Sequence, residues 1–200
     1  EIDRLPVITF LRDPVEQVMS HCQHVSEGKN AYWRELYPPG TFDLDDFLAS
    51  GHLVLSNFQT KMLLGDRGYR PITGDTRALV DEVLQVLQND IECFGIVEEF
   101  DTSLMWFRRR LGWKQWPVYR RLNVASGSSR LAFSSKQIAK IRDLNAVDIQ
   151  VYEASRRLFH EQLAPISALL QADLEEFKAH QAAWSPRPAP PLPSVWQRLT

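Results

Sequence analysis

Two hundred residues, 44% hydrophobic and 24% charged, can bury a core without disulfides or metals, which excludes a disordered chain and a disulfide-stapled mini-domain. A formal net charge of −2 and a pI near 6.2 argue against general nucleic-acid or polyanion binding, so an anionic ligand would need a local basic cluster. No apolar run reaches the roughly 18 residues that a membrane-spanning helix requires.

Pro6 to Leu11 is a short apolar run rich in β-branched and aromatic residues, the pattern of a strand covered on both faces. A helix follows at once. Asp13 has N-cap chemistry, Pro14 suits the first helical position, and Glu16 stands where a capping box needs it. Val15, Val18, Met19, Cys22 and Val25 recur at helical spacing as one buried stripe, leaving Arg12 at the strand end and Ser20 off the stripe. The expected geometry puts Arg12 beside the first free amides of the helix, a place suited to an anion.

Glu27 to Gly40 carries Tyr32, Trp33 and Tyr37 and a Pro38-Pro39-Gly40 stop, and reads as a lid or substrate-facing loop. Thr41 or Asp43 caps a short helix through Ala49, and a second helix covers about Leu53 to Leu64. Asp75 or Thr76 starts an amphipathic helix with Leu79, Val80, Val83, Leu84 and Leu87 inward. Ile91 to Val97 is the second strand. Asp101-Thr102 caps the next helix, which places Arg108, Arg109 and Arg110 in its last turn, where cations complement the helix dipole.

Between Lys114 and Arg130, Arg120, Arg121 and Arg130 flank the segment Asn123-Val-Ala-Ser-Gly-Ser-Ser129. Hydroxyls, small residues and guanidinium groups together suit a phosphate. Helices over Ser135 to Leu144 and Val147 to Ala182 follow, the second with Tyr152, Phe159, Leu163, Ile166, Leu170 and Phe177 on one face and a kink or break at Pro165. The prolines that crowd the sequence from Pro186 to Pro193 mark a polyproline-II-like tail, so the expected division is a domain over 1–183 and a Pro-rich tail over 184–200.

Several other features have a bland reading that outweighs the sharp one. His21 and His24 lack a third ligand at sensible spacing, so no metal is assigned. Glu98 and Glu99 are adjacent on the strand pattern and point to opposite faces, which suits structural or pocket-lining roles better than acid/base work. The run Arg108 to Arg110 reads as a solvated helix end before a glycan-binding patch, and Pro188 to Pro193, although it contains PxxP, as a linker. Cys22 and Cys93 each sit in an apolar pattern, so buried thiols are favoured over a disulfide and the redox compartment stays open.

Arg12-Asp13-Pro14 followed by Ser20 resembles the 3′-phosphate-binding motif of sulfotransferases that use 3′-phosphoadenosine 5′-phosphosulfate (PAPS), in the branch that includes the heparan sulfate 2-O-sulfotransferases. Asn57 to Gly65, Phe94 to Leu104 closing at Leu111-Gly112-Trp113, and Asp148 to Tyr152 agree in the same order, so the likeness covers about residues 5 to 160. It implies a helix-rich α/β fold like that of P-loop nucleotide kinases, a parallel sheet flanked by helices. It implies transfer of a sulfuryl group from PAPS to a hydroxyl acceptor, carbohydrates among the candidates, with no metal and no nucleic-acid partner. Arg12 and Ser20 fall on the 3′-phosphate positions, and Arg121 and Asn123 best match the contacting positions of the loop that closes over the nucleotide.

The same family has a Gly/Lys/Ser/Thr loop for the 5′-phosphosulfate and a His or Glu base, both upstream of the Arg-Asp-Pro motif. Only eleven residues precede Arg12, and Gly28-Lys29-Asn30 follows a helix with no strand to present it. The N-terminal βα unit is therefore expected to be missing and the catalytic base stays unassigned. A non-catalytic nucleotide- or partner-binding module stands as the alternative. A remote P-loop kinase ranks last, because no Walker Lys and no Mg²⁺-binding Asp after a strand is found.

Overall fold

The computed structural model describes residues 5–28, 31–38, 40–65, 72, 75–120 and 130–185. Two short parallel strands, β1 (Ile8–Leu11) and β2 (Cys93–Ile96), pair in the register Ile8↔Cys93 to Leu11↔Ile96. All of β2 is buried. The described residues of the connection between them form five α-helices: α1 (Pro14–Ser26), α2 (Ala31–Leu36), α3 (Leu44–Ala49), α4 (Phe58–Leu63) and α5 (Thr76–Asn89). After β2 come α6 (Phe100–Arg110), α7 (Ser135–Leu144), α8 (Ala146–Leu163) and α9 (Ser167–Ala183). Helices and a small parallel sheet make this a helix-rich α/β fold, as expected.

Three helices start at the caps expected from sequence, and Ser134 adds a fourth cap. Asp13, Asp43, Asp75 and Ser134 each accept a backbone N–H of the helix that follows, and Ser134 and Gln137 close a full capping box. Pro165 breaks the long C-terminal helix through a 3₁₀ turn at Ala164–Ile166. Gly95 lies where β2 meets α6. A Cβ there would stand 2.6 Å from the Ser103 Cβ and 2.8 Å from the Phe10 ring, so only glycine lets α6 pack so close to the sheet.

Other expectations fail for reasons of tertiary contact. Residues 31–36 are helical, and Trp33 is buried against His21 and Phe47 instead of facing substrate. The helix expected over 53–64 is split into a 3₁₀ turn (Leu53–Leu55) and α4, because Asn57 adopts a left-handed conformation, φ 45°. Asp101 does not cap α6. The chain enters that helix through a 3₁₀ turn at Val97–Glu99, and Asp101 accepts the Tyr119 hydroxyl at 2.7 Å. The arginine run keeps its place at an exposed helix end but has partners there: Arg108 stacks over Trp116, Arg109 pairs with Asp173 on α9, and Arg110 pairs with Glu92.

Two apolar clusters form the core. One, around Leu11, Val83, Phe94, Ile96, Met105, Phe159 and Phe177, fills the space between the sheet and α5, α6, α8 and α9. The other, around Val15, Val18, Cys22, Trp33, Phe47 and Ile141, lies under α1, α2, α3 and α7. The strand end joins them. Leu11 belongs to the first cluster and Val15 to the second, so Arg12, Asp13 and Pro14 occupy the seam. Cys22 and Cys93 are buried free thiols, and burial pushes them up to about 12 and about 11.

Candidate functional site

Parallel strands present their carboxyl ends to one side, and ligands of open α/β sheets bind outside those ends. Arg12 leaves β1 on that side and Glu98 leaves β2 beside it. Asp13 donates its N–H to Glu98 Oε1 at 3.0 Å, and Tyr152 on α8 donates its hydroxyl to Glu98 Oε2 at 2.9 Å. That bond displaces the expected capping box, since the Asp13 N–H that Glu16 would accept is already taken. Burial, then the bond and charge of Glu98, raise the Tyr152 phenol and keep it a donor.

The amides of α1 are also committed. Val15 and Glu16 donate to Asp13 Oδ1 at 2.9 and 3.0 Å, Gln17 donates to the Asp13 carbonyl, and Pro14 has none to give. The free helix amides expected beside Arg12 are therefore absent, and an anion would be held by side chains.

Those side chains share a cavity of about 610 Å³ that runs along the outer face of α1. Arg12, Glu16 and Ser20 line it at four-residue spacing, with His21, His24 and Glu27 further along. Val54, Phe58, Arg130, Leu131 and Phe133 supply the rest of its wall. Gln23 on α1 fastens that wall, accepting the Leu131 N–H at 2.7 Å. Neither Arg12 nor Arg130 makes a side-chain hydrogen bond or ion pair with a described residue, and neither does the Ser20 hydroxyl. Two guanidiniums and a hydroxyl thus face one concavity uncommitted, at a size within the usual range for a small-molecule pocket of roughly 300–1,000 Å³.

His21 lies against Trp33 and Phe47, and its Nε2 is buried without a hydrogen-bond partner among the described residues. Burial first, then the charges of His24 and His52, lower its pKa to about 4. The ring is therefore neutral near pH 7. Among the described residues no three His, Cys, Asp or Glu side chains are grouped to hold a metal ion, and no helix is long and apolar enough to cross a membrane.

The comparison with known families follows this geometry. The family model for galactose-3-O-sulfotransferases matches residues 5–183. The chain belongs to this family. The match spans the sheet, the α1 cavity and all nine described helices, and it makes the chain a sulfotransferase. It is to the galactose 3-O branch, and grouping the chain with the heparan sulfate 2-O branch finds no support in it. No curated protein matches the chain.

Of the four site residues expected from sequence, the structure brings Arg12 and Ser20 to one cavity, joined by Arg130. Arg121 and Asn123 lie outside the described residues. Sequence reasoning gave no role to Gln59 and Asp148. Gln59 exchanges two hydrogen bonds with the Arg12 main chain, and buried Asp148 in turn accepts the Gln59 and Thr60 amides. Both lie in segments, Asn57 to Gly65 and Asp148 to Tyr152, that carry the family resemblance, and an acid opening an otherwise apolar helix face, as Asp148 does, was a further signal.

Proposed function

We propose that this member of the galactose-3-O-sulfotransferase family uses PAPS as donor and binds its 3′-phosphate in the α1 cavity, between Arg12, Ser20 and Arg130. The observation that carries the reading is that two guanidiniums, neither bonded to a described residue, line that one cavity together with the Ser20 hydroxyl. Outside the cavity, Arg109, Arg110 and Arg156 pair with carboxylates. Arg121 and Asn123, just ahead of Arg130 in sequence, are proposed as further contacts to the nucleotide. Bound PAPS supplies a sulfuryl group for in-line transfer to an acceptor hydroxyl, for which the family name makes a galactose-bearing carbohydrate the first candidate.

The chain's own part in that reaction is to orient. Planar guanidiniums give paired, directed bonds to a phosphate, and Ser20 adds a neutral donor. The base that takes the acceptor proton is not assigned.

The test is calorimetric titration with adenosine 3′,5′-bisphosphate. Arg12→Ala should weaken binding about 10- to 150-fold, the equivalent of about 1.5–3 kcal/mol for one charge-assisted bond. Because the Arg12 guanidinium has no partner among the described residues, thermal stability should be unchanged. Equal affinity of wild type and variant would overturn the assignment. Sulfate transfer from PAPS to galactosides separates an enzyme from a module that only binds the nucleotide.

A further inference from the structure

We propose that Gln59 and Asp148 are positioning residues that aim Arg12 into the cavity and so set preference for nucleotides carrying a 3′-phosphate. The inference rests on the 3′-phosphate reading of that cavity and adds residues that do not line it.

Arg12 is the first residue beyond the β1–β2 pairing, which ends at Leu11↔Ile96. A residue at that place has no neighbouring strand to fix it. Gln59 supplies the substitute. Its Oε1 accepts the Arg12 N–H at 2.9 Å and its Nε2 donates to the Arg12 carbonyl at 2.8 Å. A carboxamide carries one acceptor and one donor side by side, so it reproduces for one residue what a paired strand would offer. The next amide, that of Asp13, is held by Glu98 at 3.0 Å. The peptide units on both sides of the Arg12 Cα are therefore pinned. That fixes its φ and ψ and, with them, the direction in which the side chain leaves the backbone.

Gln59 is itself fixed from α8. Asp148 Oδ2 accepts the Gln59 N–H at 2.9 Å, while Oδ1 accepts the Thr60 N–H at 2.8 Å and the Thr60 hydroxyl at 2.5 Å. Asp148 is 1% exposed and Gln59 is 9% exposed, so water does not compete for these bonds. Burial raises the Asp148 pKa, and the bonds from Thr60 and Gln59 and the charge of Lys61 act against that shift. The path runs from Asp148 through Gln59 to the Arg12 backbone, and only its last member faces the ligand.

The experiment compares adenosine 3′,5′-bisphosphate with adenosine 5′-monophosphate by titration calorimetry, reading the ratio of the two affinities. Gln59→Met keeps length and loses both bonds to Arg12. Gln59→Glu keeps an acceptor for the Arg12 N–H and sets a carboxylate against its carbonyl. Both should lower the ratio about tenfold, equivalent to the loss of one directed phosphate bond. Asp148→Asn, remote from the cavity, should lower it in the same direction. In an Arg12→Ala background the Gln59 changes should have no further effect on the ratio.

A purely structural role would lower melting temperature or weaken both nucleotides alike, leaving the ratio as in wild type. Circular dichroism confirms which variants are folded, and the folded members of the set decide the outcome. An unchanged ratio in folded Gln59 or Asp148 variants, with Arg12→Ala lowering it, overturns this inference alone. An unchanged ratio in Arg12→Ala overturns the phosphate site itself.

Discussion

The N-termini of α4 and α8 cap each other, and a double-mutant cycle should expose that reciprocity. Asn57 Oδ1 accepts the N–H groups of Val147 and Asp148 at 3.1 and 3.0 Å, while the Asp148 carboxylate accepts those of Gln59 and Thr60. Neither helix caps itself with its own preceding residue. Asp148→Ala strands two amides and a hydroxyl in a buried site, at about 1–3 kcal/mol each, and relieves the desolvation that raises the Asp148 pKa. A net loss of about 2–4 kcal/mol follows. Asn57→Gly removes two bonds while keeping the left-handed φ that glycine accepts readily, for about 1–2 kcal/mol. Once either cap is gone the two helix ends lose their mutual register, so the second change should cost less by about 1–2 kcal/mol. Urea unfolding followed by circular dichroism measures all four proteins, provided the m-value holds constant. Additivity within about 0.5 kcal/mol would refute the reciprocal cap.

Two further outcomes are expected. Gly95→Ala should destabilise the fold by about 2–4 kcal/mol, since its Cβ meets Ser103 and the Phe10 ring below 3 Å, and a chemical melt would read it directly. His21 has a folded pKa of about 4 against 6.5, so the unfolded chain takes the proton first and stability falls as pH drops from 6.5 towards 4. Screening of a partly exposed ring limits that loss to about 1–2 kcal/mol. His21→Phe should flatten this part of the pH profile.

The parts of the fold that were legible in the sequence are local. Asp13, Asp43 and Asp75 each announce a helix within three residues, and Pro165 breaks one by its own ring. Arg12 and Ser20 belong to the same kind of unit, a strand, a cap and two helical turns. What was missed depends on distant partners. Asn57 takes its left-handed conformation while its side chain holds residues 90 and 91 positions away, so no window of sequence reveals the split in the expected helix. Trp33 sits among aromatic residues that read as a lid, yet its partners His21 and Phe47 come from α1 and α3 and draw it into the core. Gln59 and Glu98 act on Arg12 and Asp13 across 47 and 85 residues.

The charge balance of the cavity bears on how it can choose a ligand. Arg12 and Arg130 line it, and so do Glu16 and Glu27, so its formal charges cancel within a chain of net −2. Long-range attraction therefore does little to gather phosphates here. The dipole of α1 adds little too, since Asp13 places a carboxylate over its end and consumes its amides. Selection then depends on the direction of a few bonds at contact distance. A guanidinium on a flexible stem gives such direction only if its backbone cannot turn. The seam between the two cores is where that constraint is strongest, with Gln59 and Glu98 holding the peptide units on either side of Arg12. In a weakly acidic protein the proposed phosphate site is thus better placed at this strand end than on a basic surface.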